Sequence, residues 1–210
     1  MKTIIYILVL FTAASLSAQS ADEILKKVEQ TYLSIDRMCA DYEQTFVWTL
    51  ADETNTFDGR ICTAGGVKFR IENQDQIIVT NGTTLWTLNK RNQQVLIDTA
   101  DKSDKEPPFL RSFVEKYRRD YNAAYAGEEM LNGEKHDKLI LTAKTEDQFE
   151  TEIRLWVRRD DHLVTKIMQI DINENSNQYL MENINTAVDL PESYFVLEIP
   201  EGYQVVDLRQ

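Results

Sequence analysis

Apolar side chains recur every three or four positions between residues 24 and 38, which is typical of one face of an amphipathic helix. The periodic residues are Ile24, Leu25, Val28, Tyr32, Ile35 and Met38. Ser20 and Glu23 stand just before them at the spacing of a capping box, so the helix is expected to begin there. The pattern predicts a helix of about four turns that packs its apolar face against another element.

From residue 40 the period changes to two, which is typical of β-strands with one buried face. One face of the first strand would carry Tyr42, Gln44, Phe46 and Trp48. Turn signals separate the runs that follow, including Gly65-Gly66 and Asn81-Gly82. Residues 40–98 therefore predict a meander of about six antiparallel strands.

A second set of apolar residues at helical spacing follows the charged loop at 100–106 and the pair Pro107-Pro108. Its members are Phe109, Leu110, Phe113, Val114, Tyr117 and Tyr121. Gly127 and Asn132-Gly133 are expected to end this insertion. Alternating runs then resume, and further strands are predicted at 138–143, 152–158, 163–172, 178–185 and 194–199.

Together these elements predict an α+β protein with about ten or eleven antiparallel strands and two inserted helices. A meander of this length tends to curl toward a barrel, and the apolar helices would then cover its concave face. The sequence contains neither an internal repeat nor a low-complexity linker. Residues 19–210 are therefore expected to form a single domain.

Residues 1–18 have the pattern of a secretory signal peptide. Lys2 precedes a short apolar run at 4–11, which is far shorter than the roughly 20 residues of a membrane-spanning helix. Small residues follow up to Ala18, the expected cleavage site. Gln19 then stands where a bacterial lipoprotein has the cysteine that receives its lipid. The mature chain is thus expected to be soluble in the periplasm and to carry no lipid of its own.

The chain is strongly acidic, with 23 Lys and Arg against 35 Asp and Glu and a formal net charge of −12 at pH 7. Nucleic-acid phosphates and anionic lipid headgroups would repel it, so no nucleic-acid partner is expected. Cys39 and Cys62 are compatible with one disulfide in an oxidising compartment and also with two buried thiols. The sequence leaves both possibilities open.

Motifs for catalysis are weak. His136 and His162 are the only histidines, and neither has a partner at metal-ligand spacing. The sequence also lacks a Gly-x-Ser-x-Gly elbow and a phosphate-binding glycine loop. Neither an enzyme nor a cofactor is therefore expected.

One stretch has the spacing of a calcium-binding loop, formed by Asp171, Asn173, Asn175 and Glu182. Ser176 stands where such a loop requires glycine, and the flanking residues alternate with a period of two. A polar hairpin turn at 173–177 is predicted instead of a metal site.

Four strings in the sequence have a characteristic order and spacing. They are ADYEQTF at 40–46 after the first helix, FDGRI at 57–61 with VKFRI at 67–71, IIVTNGTTLWTL at 77–88 with Gln94-Val95, and FVLEIPEGYQV at 195–205. In this arrangement they resemble the outer-membrane lipoprotein carrier family, the LolA family. The resemblance extends over nearly the whole mature chain.

The resemblance implies an unclosed antiparallel half-barrel whose concave hydrophobic face is covered by helices. Members of the family bind the acyl chains of lipoproteins without covalent chemistry and need no metal or nucleotide. They receive lipoproteins from an inner-membrane lipoprotein-releasing transporter and pass them to an outer-membrane lipoprotein receptor. Acylated lipoproteins, this transporter and this receptor are therefore the expected partners, and the carrier is expected to be a monomer.

Strand alternation and the second helical stripe indicate which side chains would line the cavity. They are Tyr42, Phe46, Phe69, Ile71, Trp86, Leu88, Phe109 and Phe113. The best-known members of the family have a basic residue next to proline in the hairpin after the second strand, where it helps to control lid opening. Here Ala64-Gly65-Gly66 occupies that stretch, so a different gate is expected.

Two other functions are compatible with the same fold. One is the binding of a different lipid or hydrophobic ligand in the periplasm. The other is a lipoprotein-sensing domain that binds a regulatory partner. The lipidated receptor of the family is disfavoured because Gln19 replaces the lipidation cysteine.

Overall fold

The computed structural model describes residues 20–100 and 112–209, with the backbone alone described for 112–115. The expected signal peptide at 1–18 lies outside these residues. The helices are α1 (Ala21–Ser34) and α2 (Ser112–Asp120), and short 3-10 helices occur at Thr49–Ala51 and Glu192–Phe195. The strands are β1 (Arg37–Trp48), β2 (Glu53–Ala64), β3 (Lys68–Asn73), β4 (Gln76–Thr80), β5 (Thr84–Asn89), β6 (Gln94–Thr99), β7 (Tyr121–Leu131), β8 (Glu134–Ala143), β9 (Glu150–Arg158), β10 (Val164–Asp171), β11 (Ser176–Asn185) and β12 (Gln204–Asp207). Among the described helices, none combines the length and the apolar character needed to cross a bilayer.

These strands form one sheet in the order β12-β6-β5-β4-β3-β2-β1-β11-β10-β9-β8-β7. Its two edges are β12 and β7, so the sheet is not closed. Its pairs are antiparallel except for β12 and β6, which run parallel. The unclosed and mainly antiparallel architecture is confirmed, whereas the described sheet has 12 strands instead of ten or eleven.

Two predictions about the elements are wrong. The second helix ends at Asp120, and a strand, β7, follows at once from Tyr121, within the insertion that Gly127 and Asn132-Gly133 were expected to end. Side chains in β7 alternate in burial, but this period of two was obscured by the helical spacing before it. The segment predicted as a strand at 194–199 is not paired, because Phe195 and Leu197 bury their side chains against the sheet instead of extending it.

Helix α1 begins with the predicted capping box. The Glu23 N–H donates to Ser20 Oγ, and the Ser20 N–H donates to the Glu23 carboxylate, each at 3.2 Å. Ile24, Leu25 and Val28 are at most 1% exposed and pack against the sheet. Burial of one such side chain stabilises the fold by about 1.5–3 kcal/mol. Packing on the sheet is therefore what holds this short helix.

The sheet has two faces that can be followed from strand to strand. Alternate residues of a strand share a face, and so do directly opposed residues on antiparallel neighbours. Helix α1 packs on the face that carries Tyr42, Ile61 and Leu155, which we call the helical face. The opposite face carries Cys39 and Cys62, and we call it the disulfide face.

On the disulfide face, Cys39 and Cys62 lie directly opposite each other across β1 and β2 and form a disulfide. The structure thus selects one of the two possibilities that the sequence left open. The Tyr194 hydroxyl lies 3.5 Å from Cys62 Sγ. Phe195 and Leu197 pack beside it against strands β4, β5 and β6. The C-terminal segment therefore covers this half of the disulfide face.

The stretch with the spacing of a calcium-binding loop begins with a hairpin turn between β10 and β11, as predicted. The Asp171 carboxylate accepts the N–H groups of Asn173 at 2.7 Å and Asn175 at 3.0 Å. The carboxylate therefore accepts hydrogen bonds from the backbone N–H groups of its own turn. Within residues 20–100 and 112–209, no group of three or more His, Cys, Asp or Glu side chains is arranged to hold a metal ion.

Candidate hydrophobic binding site

Along β1, β2 and β3, the two faces of the sheet differ in charge. On the helical face, the alternate positions within residues 38–46, 55–63 and 69–73 carry no charged side chain. The positions between them, on the disulfide face, include Asp41, Glu43, Asp58, Arg60, Arg70 and Glu72. Burying charged groups under an apolar ligand is costly. The helical face is therefore the candidate site for such a ligand.

A surface depression of about 540 Å³ lies mainly on the disulfide face. Its lining includes Asp41, Glu43, Arg60, Glu72 and Glu182. Arg60 pairs with Asp41 at 3.0 Å, and Glu72 pairs with Arg70 and Lys90 at 3.3 Å each. All of the lining carboxylates are also partly exposed to water. An acyl chain placed here would displace that water, so the depression does not suit an apolar ligand.

Four of the eight candidate lining residues lie on the helical face. Tyr42 and Phe46 alternate along β1, and Phe69 and Ile71 alternate along β3. On this face Ile61 of β2 lies opposite both Ala40 of β1 and Ile71 of β3, and Thr63 lies opposite both Met38 and Phe69. Tyr42 and Phe69 are each 6% exposed, whereas Phe46 and Ile71 are half-buried. The half-buried pair keeps apolar surface that a ligand can reach.

Trp86 and Leu88 lie on the opposite face, away from these four residues. Trp86 is directly opposite Val79, Leu88 is directly opposite Val95, and all of them belong to the cluster around Phe195. The expectation that Trp86 and Leu88 line the same cavity is thereby corrected. Alternation within β5 does not reveal whether its odd-numbered or its even-numbered residues face the helices. That depends on the register of every strand between β1 and β5.

The other two candidates belong to the second helical stripe. Phe109 lies outside the described residues. Phe113 lies in α2, of which the backbone is described at this position, and its side chain lies outside the described atoms.

The helical face also carries three polar residues that the sequence did not single out, Gln44, Asn177 and Tyr179, which we call the polar cluster. Gln44 Nε2 donates to Asn177 Oδ1 at 2.9 Å and to the Tyr179 hydroxyl at 3.0 Å. Asn177 Nδ2 donates to the same hydroxyl at 3.1 Å. All three side chains are half-buried. Sequence periodicity had placed Gln44 on the Tyr42 face, but nothing local linked it to β11.

Tyr42 connects the polar cluster to the apolar part of the face. Its ring meets the Tyr179 ring edge-on, with centroids 6.3 Å apart. The Asn73 side chain lies near the Tyr42 hydroxyl and favours its ionised form. Burial raises the pKa of Tyr42 and that of Tyr179 above the ordinary value for tyrosine. Both hydroxyls therefore stay protonated at neutral pH.

Helix α2 ends next to this region. Tyr117 is 4% exposed and packs edge-on against Tyr121, with ring centroids 5.7 Å apart. Burial raises the pKa of Tyr121 to about 12. Arg118 on the outer side of α2 donates to Glu29 of α1 at 2.7 Å, so an exposed ion pair joins the two helices. The described groups offer apolar surface and neutral hydrogen bonds, which suits non-covalent binding.

The hairpin between β2 and β3 contains the Gly65-Gly66 pair, which led us to expect a different gate. Gly65 and Gly66 have φ values of +58° and +76°, which favour glycine. The Gly65 N–H donates to the Asp36 carbonyl oxygen at 2.9 Å. Lys68, which follows the hairpin, forms an ion pair with Glu192 of the C-terminal segment. This hairpin is thus anchored through the disulfide face.

Comparison with known proteins gives a consistent result. A family model described as outer membrane lipoprotein carrier protein LolA matches residues 34–198. An outer-membrane lipoprotein carrier protein of Actinobacillus pleuropneumoniae is 25% identical over 203 residues, which cover 94% of this chain and 88% of that protein. A protein of unknown function from Methanocaldococcus jannaschii is 26% identical over 198 residues, which cover 93% of this chain. The chain spans 56% of the length of that second relative.

Among solved structures, an uncharacterized conserved protein from Thermus thermophilus is similar, with a TM-score of 0.61 and 15% identity. The match covers 89% of this chain and 98% of that protein. At this level of identity the similarity shows a shared fold.

Proposed function

Because the chain belongs to the LolA family of outer membrane lipoprotein carrier proteins, we propose that it is a soluble periplasmic carrier of acylated lipoproteins. In this proposal the acyl chains lie on the helical face, in contact with Phe46 and Ile71, and the helices cover them. The observation that carries the proposal is the separation of charge between the two faces of β1, β2 and β3 within residues 38–46, 55–63 and 69–73. An acyl chain bound over these positions desolvates no charged strand residue of the helical face.

The affinity for the cargo arises from ordinary transfer energetics. Each CH₂ group removed from water contributes about 0.8 kcal/mol, so even a partly covered chain is held firmly. A carrier must also release its cargo, which requires that the covering helices move. The ion pair between Arg118 and Glu29 is partly exposed, with side chains 45% and 32% accessible, and such pairs contribute little to stability. This ion pair therefore adds little to the cost of moving α2 away from α1.

The remaining elements of the proposal follow from the family. The protein would be exported with removal of residues 1–18, would act as one domain from residue 19 to 210, and would catalyse no reaction. It would take lipoproteins from the inner-membrane lipoprotein-releasing transporter and deliver them to an outer-membrane lipoprotein receptor. Its acidic surface would keep it from adhering to anionic headgroups during transit.

The proposal is tested by expressing the mature domain in the periplasm together with an acylated lipoprotein, and isolating it under mild conditions. Mass spectrometry is expected to find the acylated protein co-purifying. The variant Phe46→Asp places a charge on the helical face and should abolish co-purification. The matched control is Thr45→Asp, one residue away on the disulfide face, which should retain the cargo.

Recovery of free phospholipid alone would overturn the carrier function in favour of a general lipid-binding protein on the same fold. Equal loss of cargo in both variants would show that the helical face is not the binding surface. Circular dichroism of each variant verifies that the fold is intact.

A further inference from the structure

Building on the proposed function, we propose that the polar cluster of Gln44, Asn177 and Tyr179 is a subsite for the ester carbonyl groups of a glycerol-linked acyl ligand. It would bind the point where the fatty acyl chains join the glycerol, while the apolar side chains around it hold the chains themselves.

The hydrogen bonds inside the polar cluster leave a donor available. Gln44 Nε2 directs its two N–H groups to Asn177 Oδ1 and to the Tyr179 hydroxyl. Asn177 Nδ2 uses one N–H on the same hydroxyl. Within residues 20–100 and 112–209, no group accepts its second N–H. This N–H is the donor that an ester carbonyl oxygen would accept.

The position of the polar cluster places this donor along the path of an acyl chain. Gln44 lies between Tyr42 and Phe46 on the helical face of β1, and Asn177 is directly opposite Phe46. A chain that extends along β1 from Phe46 toward Tyr42 therefore crosses the polar cluster. When a ligand excludes water there, a methylene group leaves the donor of Asn177 unpaired, which is unfavourable, whereas a carbonyl oxygen pairs with it.

The uncharged surroundings of the polar cluster favour a neutral partner. The helical-face positions within residues 38–46, 165–169 and 177–181 carry no charged side chain. A phosphate or carboxylate would lose its hydration at this point without meeting a counter-charge. An ester is neutral and accepts hydrogen bonds. Diacylglyceryl cysteine in lipoproteins and the glycerol backbone of phospholipids share this chemistry.

The test compares ester-linked ligands with ether-linked ligands of the same chain length, which lack the carbonyl oxygen. A fluorescent naphthylamine probe bound to the protein is displaced by a dipalmitoylglyceryl-cysteine peptide or by its dihexadecyl ether analogue. A second pair uses phosphatidylglycerol with the same chains in ester and ether form. The ester is expected to bind about tenfold tighter than the ether, which corresponds to one hydrogen bond of ordinary net strength. If the ester is preferred over the ether in the peptide pair alone, the lipoprotein supplies the bound ester carbonyl. If it is preferred in the phospholipid pair alone, the phospholipid supplies it.

Asn177→Leu should bring the ester-to-ether ratio close to one, because the side chain no longer carries the donor that a carbonyl oxygen accepts and that an ether ligand leaves unpaired. Gln178→Leu is the matched control, because Gln178 is the next residue of β11 and lies on the disulfide face. It should keep the tenfold preference. If Asn177→Leu fails to fold, the ratio measured with the wild-type protein decides the question by itself.

Equal affinity of the wild-type protein for esters and ethers, with both displacing the probe, would overturn the carbonyl subsite and leave the carrier function standing. Failure of all four ligands to displace the probe would overturn the proposed function itself. The two failures are therefore distinguishable in one assay.

Discussion

The ring of Tyr42 lies directly over Gly59 of the neighbouring strand. A Cβ atom added at Gly59 would lie 2.5 Å from both Cζ and Oη of Tyr42, and 2.7 Å from the carbonyl oxygen of Glu72. That carbonyl belongs to the backbone of β3, which cannot move without disturbing the β-ladder. We predict that Gly59→Ala lowers the free energy of unfolding by about 2 kcal/mol, measured by denaturant titration.

The part of this destabilisation that comes from the Tyr42 ring can be measured separately from the part that comes from the Glu72 carbonyl. In a Tyr42→Ala background, Gly59→Ala should be less destabilising, because the contact with the ring is gone and the contact with Glu72 alone remains. Strictly additive effects of the two changes would contradict the close approach of Tyr42 to Gly59.

A second prediction separates the two faces of the sheet. Phe46→Ala removes apolar surface from the helical face and should weaken the binding of a fluorescent long-chain probe by about tenfold. Trp86→Ala should leave that affinity unchanged and lower the free energy of unfolding by about 3 kcal/mol, because Trp86 packs in the cluster around Phe195. Probe titration and thermal unfolding of both variants provide the measurements. Weakened binding in Trp86→Ala without loss of stability would contradict the assignment of the faces.

A third prediction concerns the disulfide. Cys39 and Cys62 are 23 residues apart in sequence, and closing a loop of this length stabilises a fold by about 3 kcal/mol. Replacing both residues with alanine should lower the free energy of unfolding by that amount. Affinity for the long-chain probe should persist under conditions in which the variant is folded, since both cysteines lie on the disulfide face. Unchanged stability in the double variant, measured against the oxidised wild type, would refute the prediction.

A fourth prediction concerns acid sensitivity at the turn between β9 and β10. Asp161 is partly buried, which opposes ionisation, but hydrogen bonds from Arg158 at 2.8 Å and from the Leu163 N–H at 3.1 Å lower its pKa. A carboxyl group with a lowered folded-state pKa contributes stability above its unfolded pKa and loses it as the pH falls through the folded value. Asp161→Asn should therefore destabilise the protein at pH 7 and have a vanishing effect near pH 2.

The expected loss at pH 7 is at most about 1 kcal/mol, because 40% of the Asp161 side chain is exposed and solvent screens the ion pair. Asp160→Asn is the matched control, since Asp160 is exposed and makes no hydrogen bond or ion pair within the described residues. Thermal melts across the pH range distinguish the two variants. A loss in Asp161→Asn that persists at pH 2 would show that packing, and not charge, is responsible.

Elements whose signals lie within a few residues were predictable from the sequence. The capping box of Ser20 and Glu23 marked the start of α1, and the alternation around Asp171 distinguished a hairpin from a metal loop. The same reasoning missed β7, because the helical spacing up to Tyr121 continued into its first residue. It also mistook the segment around Phe195 for a strand, since buried apolar side chains do not reveal whether their backbone is paired.

The sequence by itself determined the kind of protein: a long antiparallel meander with two apolar helices, acidic and poor in catalytic groups, with the strings of the LolA family. Only the tertiary structure decided which residues share a face, because strand register depends on every connection in between. That register separated Trp86 from Tyr42 and joined Cys39 to Cys62. It also brought Gln44 within 2.9 Å of Asn177, a residue 133 positions away, and no local pattern can anticipate a contact that the pairing of β1 with β11 creates.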